Sequence, residues 1–100
     1  MAFKIVWTPK AQESFGNIIR YLEKHWTERE IEKFVIKTDH IINLISEYPR
    51  SFLKSEKKSV FKARVNKQNS LFYRCKKNQV ELLLFWDIRQ NPEKLKKLLK

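Results

Sequence analysis

The 100-residue sequence has few of the residues that build cross-links, metal centres or flexible linkers. A single cysteine, Cys75, excludes an internal disulfide and leaves no cysteine cluster for structural zinc. The two histidines, His25 and His40, lie fifteen positions apart, so the sequence offers few ligands for a catalytic metal ion. One glycine and three prolines argue against a low-complexity chain. We therefore expect an ordered protein with no metal and no small-molecule cofactor.

Long hydrophobic runs are also missing. No stretch approaches the roughly 18 apolar residues of a transmembrane helix, and the N-terminus does not have the profile of a signal peptide. We expect a cytoplasmic protein with no membrane partner. A chain of this length suits one domain, residues 1–100, with one modest core.

Positive charge is what the sequence has in excess, and it is unevenly placed. The formal net charge at pH 7 is +11. Residues 1–49 hold seven Lys or Arg and seven Asp or Glu, whereas residues 50–78 hold ten basic residues and one acidic residue. Such local basicity favours a polyanion or an acidic protein as partner. The alternative is a solvated surface that only keeps the protein soluble.

The segment 79–92, QVELLLFWDIRQNP, organises the rest of the chain. Its first half, Val80 to Trp86, is nearly unbroken apolar, whereas a strand with one solvated face would alternate apolar and polar residues. We therefore predict a strand in the middle of a sheet, covered on both faces. The polar residues that follow it are Asp87, Arg89, Gln90 and Asn91. A rigid strand that ends in such residues can hold a site, and the alternative is an ordinary polar turn.

Two amphipathic helices are predicted before the basic region. Thr8 can cap the first, and Pro9 suits its first position. Thr27 and Glu30 form a capping box that opens the second, and Pro49 ends it. The short link between them predicts an antiparallel hairpin. The residues predicted to pack inward include Ala11, Phe15, Trp26, Phe34, Val35, Ile45 and Tyr48.

The rest of the chain predicts the remaining strands. Residues 50–59 suit a polar connector, residues 60–65 a strand, and residues 70–76 the next strand. Residues 77–78 suit a tight hairpin turn into the central strand. From Pro92 onwards, leucines at helical spacing predict a short C-terminal helix.

This order predicts an α+β domain with one small sheet. An N-terminal strand precedes the two-helix hairpin, and a three-stranded antiparallel meander and the short helix follow it. The hairpin should cover one face of the sheet. The other face should carry Lys62 and Arg64 and stay partly open, as a basic groove would require.

Four motifs, in this order and spacing, resemble those of the RelE/ParE superfamily of toxins. They are Trp-Thr-Pro-Lys-Ala at 7–11, Glu-Tyr-Pro at 47–49, Asn-Ser-Leu-Phe-Tyr-Arg at 69–74 and Phe-Trp-Asp-Ile-Arg-Gln-Asn-Pro at 85–92. The resemblance covers nearly the whole chain and implies a small sheet with a helix hairpin on one face. It also implies a growth-inhibiting toxin of a type II toxin–antitoxin system. A cognate acidic antitoxin would neutralise it.

The resemblance leaves two mechanisms open. RelE-like toxins cleave mRNA on the ribosome without metal, whereas ParE-like toxins poison DNA gyrase. Lys62, Arg64 and Arg89 match basic positions of the nucleases. Ser70, however, stands where those enzymes place an arginine, and no Tyr or His follows Arg89. A ParE-like, gyrase-directed toxin is therefore slightly favoured, and a ribosome-dependent mRNA endonuclease is the alternative.

Each candidate residue has an expected role. In a nuclease, Lys62, Arg64 and Arg89 would stabilise the charged phosphorane. Asp87 is a conceivable base, but a carboxylate beside a phosphate is electrostatically unfavourable. We therefore expect it to pair with Arg89 or another nearby arginine, or to cap the following turn. The candidates for binding a partner are Arg74, Asp87 and Gln90. A further alternative is a non-toxic basic module that binds nucleic acid.

Overall fold

The computed structural model describes residues 2–55, 57 and 59–99. The elements in chain order are β1 (Lys4–Trp7), α1 (Pro9–His25), α2 (Glu28–Glu47), β2 (Leu53–Lys54), β3 (Phe61–Arg64), β4 (Asn69–Lys76), β5 (Gln79–Asp87) and α3 (Pro92–Leu98). The predicted α+β order is confirmed. Among the described residues, no helix is both long enough and apolar enough to cross a membrane.

Both helices of the hairpin begin at the predicted caps. The Thr8 hydroxyl accepts a hydrogen bond from the Ala11 N–H at 3.2 Å and donates one to the Leu82 carbonyl at 2.7 Å. The Thr27 hydroxyl accepts from the Glu30 N–H at 3.4 Å. The first cap therefore does two things, because it starts α1 and also fastens it to β5.

Three residues predicted to pack inward do not. Trp26 is 54% exposed, Tyr48 is 59% exposed and Val35 is 43% exposed. Trp26 and Tyr48 cap the C-termini of α1 and α2 with non-helical backbone angles. Because these backbone angles end the helical periodicity, the side chains of Trp26 and Tyr48 do not point inward, and that part of the prediction is wrong.

The sheet has five strands in the order β1-β5-β4-β3-β2. β1 runs parallel to β5, and the other pairs are antiparallel. β5 lies between β1 and β4, which confirms the predicted interior strand. β2 corrects the prediction of a plain connector at 50–59, since Leu53 pairs with Lys62 and Lys54 with Phe61. Two exposed residues carry no periodic pattern that could have indicated this strand.

Each face of the sheet has its own apolar cluster. The hairpin covers the first face, where the large cluster includes Phe34, Ile45, Leu71, Tyr73, Leu82 and Phe85. The second face has a smaller cluster of Val60, Phe72, Leu84, Trp86 and Leu99, with Leu95 and Leu98 of α3 packed against it. The expected open face is therefore partly covered by α3, and its basic part lies towards β3.

A bulge interrupts the pairing of β5 with β4 within the run of three leucines. The register passes from Phe72 opposite Leu84 to Tyr73 opposite Leu82, so Leu83 has no partner on β4. Leu82 joins the first cluster, and Leu84 joins the second with Leu83 packed against it. The run of three leucines therefore supplies both faces of one strand.

Candidate functional site

The structure divides the six predicted site residues into two groups. Lys62 and Arg64 of β3 and Arg74 of β4 lie on the second face of the sheet, and we call them the basic face. Asp87, Arg89 and Gln90 lie at the exit of β5, beside the helix hairpin.

The basic face is set by the alternation of side chains along β3 and β4. Phe61 and Ala63 point into the first cluster, so Lys62 and Arg64 point to the opposite side. Neither forms an ion pair among the described residues. Two cations left unpaired on a rigid strand suit the binding of an anionic partner.

Ser70 occupies the middle of the second face. It is fully buried between Arg64 on β3 and Trp86 on β5, and its hydroxyl has no hydrogen-bond partner among the described residues. This is the position where the resemblance would place a nuclease arginine. A buried serine offers no cation there.

Arg74 has a different environment from the other two basic residues. Its cross-strand partner is Glu81 of β5, and its Nε is buried without a hydrogen-bond partner among the described residues. The carboxylate of Glu81 opposite Arg74 reduces the positive charge of this end of the face.

The exit of β5 holds the expected ion pair. Arg89 Nη2 donates to Asp87 Oδ2 at 2.6 Å and Arg89 Nε donates to Oδ1 at 3.0 Å, which makes a two-pronged contact. The Arg89 backbone N–H also donates to Oδ1, at 2.8 Å. Asp87 therefore has two roles: it pairs with the Arg89 side chain, and it caps the turn that follows β5.

This pair fixes the charge state of Asp87. The hydrogen bonds from the Arg89 side chain lower the pKa of Asp87 below its usual value, against the opposing effect of desolvation. The same contact raises the pKa of Arg89. A carboxylate with a lowered pKa is a poor base, so the geometry disfavours Asp87 as a general base.

The strand exit forms one wall of a groove with a volume of about 810 Å³. We call it the hairpin groove. Its other walls are α1, the first half of α2, the turn between β3 and β4, and α3. Sequence reasoning missed it, because these walls come from segments far apart in the chain and no local motif marks them.

The six residues do not meet in one pocket. Asp87, Arg89 and Gln90 line the hairpin groove, whereas Lys62 and Arg64 do not. Arg89 is also engaged by Asp87. The arrangement presents two separate surfaces, one basic and one partly apolar. Within the described part of the chain, no group of three or more His, Cys, Asp or Glu could hold a metal ion.

Comparison with known proteins finds similarity in structure alone. The sequence matches no family model and no curated protein. Among solved structures, it is similar to a chain of the chromosomal ParDE toxin–antitoxin system from P. aeruginosa. The TM-score is 0.74 at 16% identity, and the alignment covers 86% of this chain and 96% of that chain.

Two further structures are similar at a lower score. The RelBE2 toxin–antitoxin complex from Mycobacterium tuberculosis gives a TM-score of 0.59 at 17% identity, over 87% of this chain and 99% of that chain. The YoeB dimer from Staphylococcus aureus gives a TM-score of 0.59 at 18% identity, over 86% of this chain and 97% of that chain. At such identities the likeness establishes the fold.

Proposed function

We propose that this chain, which has the RelE/ParE toxin fold, is the growth-inhibiting toxin of a type II toxin–antitoxin pair. The observation that carries the proposal is the likeness in fold, over most of the chain, to structures of ParDE and RelBE systems. The basic face is consistent with it, because Lys62 and Arg64 form no ion pair among the described residues and would attract an anionic partner. The antitoxin would be an acidic protein.

Three observations support a ParE-like toxin directed at DNA gyrase. Ser70 is buried where a nuclease would need an arginine. Arg89 is held by Asp87. The TM-score is also higher for the ParDE structure, 0.74, than for the RelBE2 complex, 0.59.

The alternative is a ribosome-dependent mRNA endonuclease that needs no metal. It is supported by Lys62 and Arg64, which form no ion pair among the described residues and could face a scissile phosphate from one strand. In that mechanism Arg89 would have to leave Asp87 before it could reach the phosphate.

The test is pulse-labelling of cells just after the protein is induced. We expect growth to stop and thymidine incorporation to fall before amino-acid incorporation. The double variant Lys62→Glu with Arg64→Glu should lose the growth arrest. The control Lys54→Glu changes an equally basic residue on the neighbouring β2, which pairs opposite Phe61 and lies outside the basic face, and it should remain toxic.

Other outcomes would change the proposal. If amino-acid incorporation falls first, the ribosome becomes the target and Arg89→Ala should abolish mRNA cleavage. Normal growth at confirmed expression would reject a toxin. Binding to nucleic acid that weakens steeply with salt would then indicate a basic binding module.

A further inference from the structure

Charge is divided unequally between the helix hairpin and the rest of the molecule. The hairpin, residues 9–47, holds six basic and seven acidic residues, so its net charge is close to zero. Residues 1–8 and 48–100, which supply the sheet and α3, hold sixteen basic and four acidic residues. Since the hairpin covers the first face, the excess positive charge lies with the second face, the turns and α3.

Four basic side chains follow one another across the second face at regular steps. Lys62 and Arg64 lie on β3, opposite positions 72 and 70 of β4. Cys75 packs on the first cluster, so its neighbours Arg74 and Lys76 point to the second face and continue the series along β4. Each step is two residues, or about 6.6 Å, and the whole series is about 20 Å long. We call these four residues the cation row.

The charges of the cation row are not neutralised by their surroundings. None of the four forms an ion pair among the described residues. Glu81, opposite Arg74, is the only carboxylate among the described strand residues of this face. α3 packs its leucines on the apolar cluster of the same face and adds the exposed cation Lys97. Cations held on rigid strands therefore outnumber the nearby carboxylates, and the face attracts a polyanion.

The aromatic residues of the second face do not offer a platform for stacking. Phe72 and Trp86 are only 3% and 6% exposed. The large aromatic residues that are exposed, Tyr21, Trp26 and Tyr48, belong to the helix hairpin. Single-stranded nucleic acids are held largely by stacking of their bases on aromatic rings. The second face therefore suits a polyanion whose bases are already stacked on one another, as they are in a duplex.

An acidic protein fits the cation row less well than a duplex does. The cores of protein interfaces are apolar and depleted in lysine, whereas the apolar cluster of this face is already covered by α3. Duplex DNA carries roughly one negative charge per 1.7 Å of its axis. A row about 20 Å long therefore runs beside roughly twelve phosphates, of which the nearer ones can contact the four cations.

We propose that the cation row, Lys62, Arg64, Arg74 and Lys76, binds the phosphates of duplex DNA. The inference rests on the proposed function and deepens it, because DNA gyrase acts on duplex DNA. The toxin then contacts the DNA that its target enzyme holds, in addition to the enzyme. Contacts to phosphates carry no sequence information, so we expect no preference for a base sequence.

The experiment measures fluorescence anisotropy of a labelled duplex of about 20 base pairs, titrated with the purified chain between roughly 50 and 200 mM salt. Four phosphate contacts predict a slope of about −3.6 for the logarithm of the association constant against that of the salt concentration. The double variant Lys62→Glu with Arg64→Glu should bind at least about tenfold more weakly, with a slope of about −1.8. An unchanged melting temperature would show that this variant folds.

A single substitution at an exposed position tests the row without reversing a charge. Lys76→Gln removes one cation at the end of β4, where the side chain is exposed. It should bind the duplex about threefold more weakly and reduce the magnitude of the salt slope by about one.

The matched control is the double variant Lys24→Glu with Arg29→Glu. It makes the same change in net charge on exposed positions of the hairpin, and neither residue forms an ion pair among the described residues. It should bind the duplex within about threefold of the unchanged chain, keep the salt slope and remain toxic. The comparison separates the position of the charges from their number.

Other polyanions test the class of partner. Single-stranded poly(U) RNA and poly-L-glutamate should bind more weakly than the duplex at the same salt concentration, because the first lacks a stacking platform here and the second has a lower charge density. Tighter binding of poly(U) would assign the row to RNA. Equal binding of poly-L-glutamate would assign it to an acidic protein. Either result overturns the inference.

Growth arrest is scored separately, so the inference and the proposed function can fail independently. If the unchanged chain arrests growth but does not bind the duplex, the inference is overturned and the toxin function stands. The same holds if the two double variants bind the duplex equally well. If the chain binds the duplex through the cation row but does not arrest growth, the proposed function fails and the DNA contact stands.

Discussion

The two faces of the sheet share strands but are covered to different extents. On the first face, apolar side chains from β1, β3, β4 and β5 pack against α1 and α2. On the second, the apolar cluster is small and its helical cover is α3, while β3 presents Lys62 and Arg64. The first face therefore stabilises the fold. The second face has less apolar packing, and it presents the cations Lys62 and Arg64.

β5 allows the faces to be compared within one strand. Leu82 is fully buried in the first cluster, and Leu84 is 3% exposed in the second. Leu82→Ala should lower the free energy of unfolding by about 4 kcal/mol, and Leu84→Ala by about 2 kcal/mol. The second value is smaller because α3 is short and can move into the space. Urea unfolding monitored by circular dichroism measures both.

The control for this pair is Leu53→Ala on β2, which is 77% exposed. It should change the free energy of unfolding by less than about 0.5 kcal/mol. If Leu84→Ala costs as much as Leu82→Ala, the second face is as tightly packed as the first, and the contrast between the faces is wrong.

Tyr73 tests a buried polar contact on the first face. Its hydroxyl donates to the Pro49 carbonyl at 2.6 Å and so fastens the end of α2 to β4. Tyr73→Phe should lower the free energy of unfolding by about 1–2 kcal/mol, because the carbonyl stays buried without its donor. Tyr48→Phe, at an exposed tyrosine, is the matched control and should have little effect.

The same contact predicts that the free energy of unfolding depends on pH in the alkaline range. Burial, assisted by the nearby Cys75, raises the pKa of Tyr73. A raised pKa means that the unfolded chain ionises first, so this contribution is complete below about pH 10 and is lost as the pH rises further. The gap in stability between the unchanged chain and Tyr73→Phe should shrink above about pH 10. A gap that stays constant to about pH 11 would contradict the assignment.

Local features of the sequence predicted the parts of the fold that depend on neighbouring residues. Thr8, Pro9 and Thr27 marked the helix starts because a cap acts within one turn. The apolar run of β5 indicated a strand covered on both faces, and the physical reason is that its side chains enter both apolar clusters. The pairing of Asp87 with Arg89 followed from two residues that share one turn.

Features that depend on distant segments were not predictable in this way. β2 exists because β3 offers an edge, not because Leu53 and Lys54 favour a strand. The hairpin groove needs the tip of the hairpin to lie beside residues 66–69 and 87–90, and that placement is set by packing of the first cluster. The exposure of Trp26 depends on the backbone angles of the helix cap, which helical spacing does not specify.

The ion pair at the exit of β5 should have the smallest effect, because exposed pairs are screened by water and salt. Asp87→Asn should lower Tm by roughly 2–4 °C at pH 7. The lowered pKa of Asp87 means that its contribution is present above about pH 4 and lost as the pH falls further, since the carboxylate must be charged to hold Arg89. The difference in Tm between the two proteins should therefore shrink as the pH falls below about 4. Glu13→Gln, at an exposed carboxylate with no ion pair among the described residues, is the control and should leave Tm at pH 7 nearly unchanged. A difference in Tm that persists at low pH would mean that Asp87 stabilises the fold through packing and not through its charge. The strand exit would then belong with the buried first face, and Arg89 would be less free to reach a ligand.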